Sequence, residues 1–301
     1  MSMLAEVPGI SPETRRCLEG GGMYTVLELQ GRVAASPRPR LATGLPGLDK
    51  GLGGGLQIGA LTEIVGPAGL GKTQFCMTAA AAAAAAAGPG ELVLYIDAEH
   101  KLVPSRLVEI ARARGLDGSA PASALLERVL VLSPNDLPEL LGRLQTLDVG
   151  ATPLALIVVD SVAQLGRPSG ADNAAETAAR LAALAGRLKL LAGASRAPAL
   201  AVNQVTGWSG ELSAALGTLW AHAVDTRLVL HQLGDGTLFI QLAKSQGSPI
   251  SAWPYRITAA GPEELSAQGG PHAVPDHLLD PALVFHNGGR ISHAGVYSEQ
   301  L

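Results

Sequence analysis

Eight consecutive residues, Gly66, Pro67, Ala68, Gly69, Leu70, Gly71, Lys72 and Thr73, satisfy the pattern GxxxxGK[ST]. Every position suits phosphate. Glycines let backbone N–H groups curl round phosphate oxygens, and a helix starting at the lysine adds the partial positive charge of its N-terminus. Lys72 would then reach the β and γ phosphates, and the Thr73 hydroxyl would bind Mg²⁺. With 37 Gly and five Lys in 301 residues, composition alone yields such a match about 0.8% of the time. The motif also lies between an apolar run and a helical stretch, the context a phosphate loop requires.

Three further residues belong to the same chemistry. Asp160 ends the apolar run LALIVVD, so a buried strand delivers a carboxylate to the edge where α/β sheets bind ligands. Beside a phosphate loop such an acid holds Mg²⁺, usually through water; before Ser161 it could equally cap a helix. Glu99, in YIDAEH just past another apolar run, is placed to orient the water that attacks a γ phosphate, with Asp97 and His100 as competitors. Gln204, beside Asn203 after the run ALAV, could sense the γ phosphate and pass its presence to the loop that follows, or simply cap that loop.

These residues need a sheet to converge. LTEIV from Leu61, a helix over Lys72 to Ala87, LVLYI at Leu92 to Ile96 and a helix near Ser105 to Arg114 begin a strand–helix alternation. It continues through Arg128 to Leu132, a helix near Leu137 to Leu147, Leu154 to Val159, and a long Ala/Leu helix near Ala174 to Ala192. Strands that are apolar throughout are buried on both faces and predict a mostly parallel sheet. After Leu200 to Asn203, two runs around Gly234-Asp235-Gly236 predict a hairpin that closes the sheet on an antiparallel edge. The nine-alanine run Ala79 to Ala87 propagates a helix and carries no chemistry.

The expected domains are a short helical segment and linker over 1–40, an α/β core over 41–260 and a Gly/Pro-rich tail over 261–301. Hydrophobic residues make up 47% and charged residues 16%, which gives an ordered core and excludes wholesale disorder. With 22 Lys and Arg against 26 Asp and Glu the net charge is −4. A general basic coat for nucleic acid is excluded, and any such contact must be local. Cys17 and Cys76 provide no disulfide framework. The apolar stretch Phe75 to Ala87 is too short and too weakly hydrophobic for a membrane span, and MSMLAEVPGI has no secretory pattern.

The loop GPAGLGKTQ, the acid in YIDAE, the strand ending VVDS and the pair in VNQV, in this order, resemble the RecA-like recombinases; TGLPGLDKGLGGGLQIGALTEIVG is similar to that family's lead into its core. GKTQFCM, SRLVEIA, LKLLA, ALGTLWAHAVDTRLVL and LAKS look like the eukaryotic recombinase paralogues of homologous repair, most of all their B branch. The resemblance covers about residues 41 to 258. It implies a RecA-like P-loop ATPase core with ATP and Mg²⁺ as ligands, with Lys72, Glu99 and Gln204 catalytic and Thr73 and Asp160 on the metal. It further implies a DNA-dependent ATPase, slow alone, that acts in the nucleus as an accessory subunit of recombination and double-strand break repair. Its partners would be other recombinase paralogues and, weakly, single-stranded or branched DNA. The alternatives are a nucleotide-bound structural subunit without turnover and an autonomous strand-exchange enzyme.

The chain departs from the recombinase pattern in places. Only GISPETRRCLEGGGMYTVLEL looks like the family's longer N-terminal helical domain. Gly31 to Thr43 lacks the aromatic plug that polymerises strand-exchange enzymes, so long filaments are not expected. The first DNA loop, Ala163 to Asn173, offers Arg167 alone; the second, Val205 to Ala215, has no basic residue, and its Trp208 either stacks on a base or packs against protein. No cation besides Lys72 is evident in cis, so a neighbouring subunit would have to supply one. Lys244 is the candidate donor, or an ordinary solvated lysine.

Overall fold

A computed structural model describes residues 40–116, 122–147, 153–166, 173–208, 211–214, 216–265 and 290–292. The chain divides into two compact units, Met1–Pro39 and Arg40–Leu301. The first lies outside the described residues, as do Arg167 and most of the first expected DNA loop.

The second unit opens with β1 (Arg40–Leu41), α1 (Pro46–Gly51) and β2 (Leu56–Gln57), which pairs with β1. Strand β3 (Leu61–Gly66) leads into α2 (Lys72–Ala86), followed by β4 (Leu92–Asp97), α3 (Pro104–Ala113), α4 (Ala122–Leu126), β5 (Val129–Leu132) and α5 (Leu137–Thr146). Next come β6 (Leu154–Asp160), α6 (Val162–Leu165), α7 (Ala174–Ser195), β7 (Ala199–Trp208), β8 (Glu211–Ala214) and α8 (Gly217–Ala223). The chain continues through β9 (Thr226–Gln232), β10 (Leu238–Lys244), β11 (Ser251–Thr258), β12 (Gly261–Glu264) and β13 (Arg290–Ser292).

The main sheet runs β12-β11-β10-β9-β3-β7-β6-β4-β5. From β9 to β5 all neighbours are parallel, and β9 to β12 form an antiparallel meander. The expected α/β class and mostly parallel sheet therefore hold. The expected hairpin is present as β9–β10, but it is not the edge: β11 and β12 lie beyond it. Gly261, expected to begin an irregular tail, instead begins β12.

Alternation along each central strand assigns side chains to the two faces. Leu156 and Val158 pack with α2 and α3, whereas Ile157 and Val159 pack with α5 and α7. The alanine run is part of this packing. Ala79, Ala80, Ala81, Ala83 and Ala84 are buried, and side chains this small let α2 lie close against the sheet. Among the described residues no helix is long and apolar enough to cross a membrane.

The second expected DNA loop is a β-ribbon rather than an irregular loop. Val205 to Trp208 pair antiparallel with Glu211 to Ala214, and β13 pairs with β8 on its other side. The side chain of Trp208 is outside the described residues.

Candidate nucleotide site

The register of the parallel strands brings the predicted site together. Gly66 is level with Gln204 across β3 and β7, and Asp97 is level with Asp160 across β4 and β6. One cleft of about 380 Å³ at these strand ends is lined by Gly66, Ala68, Gly69, Gly71, Lys72 and Thr73 of the loop together with Glu99, Asp160 and Gln204. Of the predicted residues, Pro67 and Leu70 do not line it. Pro67 instead presents its carbonyl to Lys72, and Leu70 is buried with its carbonyl accepting from the Tyr255 hydroxyl at 2.6 Å.

The loop has the conformation its composition suggests. Gly69 and Gly71 adopt φ of 85° and 91°, the left-handed region that only glycine enters at little cost. At Gly71 a Cβ would also come within 2.6 Å of Ile257 on β11. Helices α5 and α7 are capped by Asp136 and Asn173 side chains, each accepting from a backbone N–H at 2.8 Å. No side chain caps α2. Its first N–H groups face the cleft as ready donors for an anion.

Lys72 Nζ donates to the Gly66 and Pro67 carbonyls, both at 2.7 Å. Burial lowers its pKa, and the charges of Asp160 and Glu99 act in the opposite direction. Asp160 is almost fully buried and accepts hydrogen bonds from Tyr95 at 3.1 Å and from Thr73. Burial raises its pKa despite those bonds. Thr73 and Asp160 thus form a hydroxyl–carboxylate pair at the cleft in which the carboxylate charge is poorly solvated. This fits Mg²⁺, which takes one or two carboxylates and completes its shell with water and phosphate. Cys76, behind this site, is fully buried, and burial raises its thiol pKa and keeps it protonated.

Glu99 and Gln204 are in direct contact. Glu99 Oε1 accepts from Gln204 Nε2 at 2.8 Å and from Ser161 Oγ at 2.5 Å, while Oε2 is ion-paired to Lys101. Burial raises the Glu99 pKa, but the bonds from Lys101, Ser161 and Gln204 prevail and hold it below the usual carboxylate range. Neither competitor lines the cleft. Asp97 accepts from the backbone N–H groups of Lys101 and Leu102, both at 2.9 Å, and His100 is exposed outside the cleft lining.

Behind Gln204 lies a buried network that sequence reasoning missed. Gln204 N donates to Asn203 Oδ1 at 2.8 Å, and Asn203 Nδ2 donates to Glu63 Oε1 at 2.7 Å. Glu63, with no exposed surface, also accepts from Trp220 Nε1 at 2.8 Å and from Arg227 Nε at 2.5 Å. A charged residue in the middle of the buried-strand run LTEIV was the available signal.

Lys244 does not stand ready for a neighbour. Its Nζ donates to the Ala221 and Val224 carbonyls at 3.0 and 2.5 Å and so caps the end of α8. The second cation in the cleft is Lys101.

The family model of Rad51 matches residues 38–264. The chain belongs to the Rad51 family. DNA repair protein RAD51 homolog 2 of Arabidopsis thaliana is 36% identical over 267 residues, 76% of this chain and 70% of that protein. The mouse (Mus musculus) RAD51 homolog 2 is 34% identical over 278 residues, 79% of each. RAD51 homolog 4 of Bos taurus is 38% identical over 200 residues, 63% of this chain and 60% of that protein. The resemblance to recombinase paralogues is therefore borne out, with homologues 2 and 4 both among the relatives of this Rad51-family chain. Rad51 and RecA family members are in general DNA-dependent ATPases that bind ATP with Mg²⁺.

Proposed function

We propose that this Rad51-family chain binds and hydrolyses ATP as an accessory subunit in homologous recombination and DNA double-strand break repair. Convergence of Lys72, Thr73, Asp160, Glu99 and Gln204 on one cleft carries the reading. The N–H groups from Gly69 to Thr73 cradle the phosphates, and Lys72 exchanges its two carbonyl partners for β and γ oxygens. Mg²⁺, held by Thr73 and Asp160, would neutralise charge on the same oxygens. Glu99, fixed by Ser161, orients a water in line with the γ phosphorus, and Gln204 reports an occupied γ position through its bond to Glu99. Names of the relatives support DNA repair as the setting; other recombinase paralogues as partners and the nucleus as the place of action belong to the same reading by family resemblance.

The test is thermal. A ligand at 100 times its Kd stabilises the folded state by about 2.7 kcal/mol, so saturating Mg²⁺-ATP should raise the melting temperature of the wild type. Lys72→Ala should fold, show much less of this shift and lose turnover. No shift for the wild type at millimolar Mg²⁺-ATP would defeat the nucleotide reading.

A further inference from the structure

Lys101 is unlike the other lysines near the site. Lys72 is partly buried within the phosphate loop and Lys244 is spent on capping α8. Lys101 keeps 60% of its side chain exposed, lines the same cleft as the loop, and has its ammonium on Glu99, the residue that orients water in the proposed reaction. Its placement is built in. Asp97 collects the N–H groups of Lys101 and Leu102, His100 takes a left-handed φ of 54°, and the resulting turn carries the Lys101 stem back over Glu99.

Two consequences follow from the ion pair. While it stands, one Glu99 oxygen is bound to a cation and the other accepts from Ser161 and Gln204, so the carboxylate has little capacity left for a water. Glu99 is mostly buried, but Lys101 is largely exposed on a long, flexible stem and is free to swing away, and a γ phosphate brings denser negative charge into the same cleft. Glu99 would keep its place without Lys101, because Ser161 and Gln204 still hold its other oxygen.

We propose that Lys101 is a second phosphate-binding cation supplied in cis: on arrival of a nucleoside triphosphate it leaves Glu99 for the γ phosphate and frees the carboxylate to orient water. In the step that follows, the water oxygen forms a bond to the γ phosphorus. The bond from that phosphorus to the β–γ bridging oxygen breaks, and its electron pair leaves with ADP. The proton released from water passes to Glu99 and then to solvent or phosphate. Lys101 contributes charge and keeps its own proton throughout. ADP lacks the γ group, so in its presence Lys101 remains with Glu99, and the residue discriminates triphosphate from diphosphate.

This inference rests on the nucleotide reading, and the experiment separates the two. Binding of ADP and of a non-hydrolysable ATP analogue, both with Mg²⁺, is measured on the full chain for wild type, Lys101→Met, Lys101→Arg and Lys72→Ala, alongside single-turnover ATP hydrolysis. For Lys101→Met the expected result is ADP affinity within about twofold of wild type and about tenfold weaker analogue binding. Its turnover should fall about 10²-fold or more, with most of it restored in Lys101→Arg. Equal losses for both nucleotides, unchanged turnover or faster turnover in Lys101→Met would overturn the role of Lys101 while nucleotide binding by the wild type stands. Wild type that binds neither nucleotide would overturn the nucleotide reading and this inference with it.

Discussion

Four acids lie at or behind the site, and their partners give each a different role. Asp160 bonds Thr73 and Tyr95, Asp97 fastens backbone N–H groups, Glu63 sits in a buried network, and Glu99 bonds Ser161, Gln204 and Lys101. Glu99→Gln should therefore retain nucleotide binding while single-turnover hydrolysis falls about 10²- to 10⁴-fold, the usual contribution of a positioned base. Asp97→Asn should act differently. It weakens two charge-assisted bonds to backbone, each worth about 1.5–3 kcal/mol, so the expected outcome is a lower melting temperature and a displaced Glu99. A hydrolysis defect in Asp97→Asn with no loss of stability would transfer the water-orienting role to Asp97. The sequence placed both acids at one strand end and left them as rivals, because residue type does not reveal which carboxylate the backbone has already claimed. Lys101 was overlooked for the same reason: a lysine two residues past an acid reads as an ordinary loop cation until the turn that folds it back is seen.

Among the elements, α2 is the one on which the site depends most, since its first turn holds Lys72 and Thr73. Its alanines set how near it lies to the sheet. Ala80 has no exposed surface and packs in the same cluster as Val158 and Val202, so Ala80→Leu has no room for three added carbons. Overpacking of this kind costs about 1–3 kcal/mol, and thermal denaturation should show the loss; an unchanged melting temperature would mean that α2 is less tightly seated. Strand β11 was the element least legible in the sequence. Pro254 interrupts SAWPYRIT, a residue that argues against an interior strand, and its burial does not alternate cleanly. Yet β11 supports the phosphate loop, with the Tyr255 hydroxyl on the Leu70 carbonyl and Ile257 over Gly71. By contrast β4 and β6 were plain, because five or six apolar residues ending in an aspartate admit few other readings.

At the scale of the whole molecule, strand order and the return of the far C-terminal segment are long-range facts that no local pattern encodes. Residues 290–292 fell within an expected tail but form β13 and pair with β8, with Arg290 level with Ser213. This places a basic residue on the ribbon found where the second DNA loop was expected, a segment whose own sequence has none. Together with Arg167 it makes two local cations on a chain of net charge −4. Each phosphate neutralised on a single strand contributes about −0.7 to the slope of log K against log salt, so two contacts predict a total near −1.4 and weak binding at physiological salt. Removing the ribbon's cation with Arg290→Ala should reduce the slope by about 0.7, and the Arg167→Ala, Arg290→Ala double variant should flatten it almost completely. The measurement is fluorescence anisotropy of a labelled single-stranded oligonucleotide titrated with the full chain and Mg²⁺-ATP at several salt concentrations. A slope steeper than about −3, or nanomolar affinity at physiological salt, would mean that DNA meets a different face of the molecule and that the ribbon is not the contact.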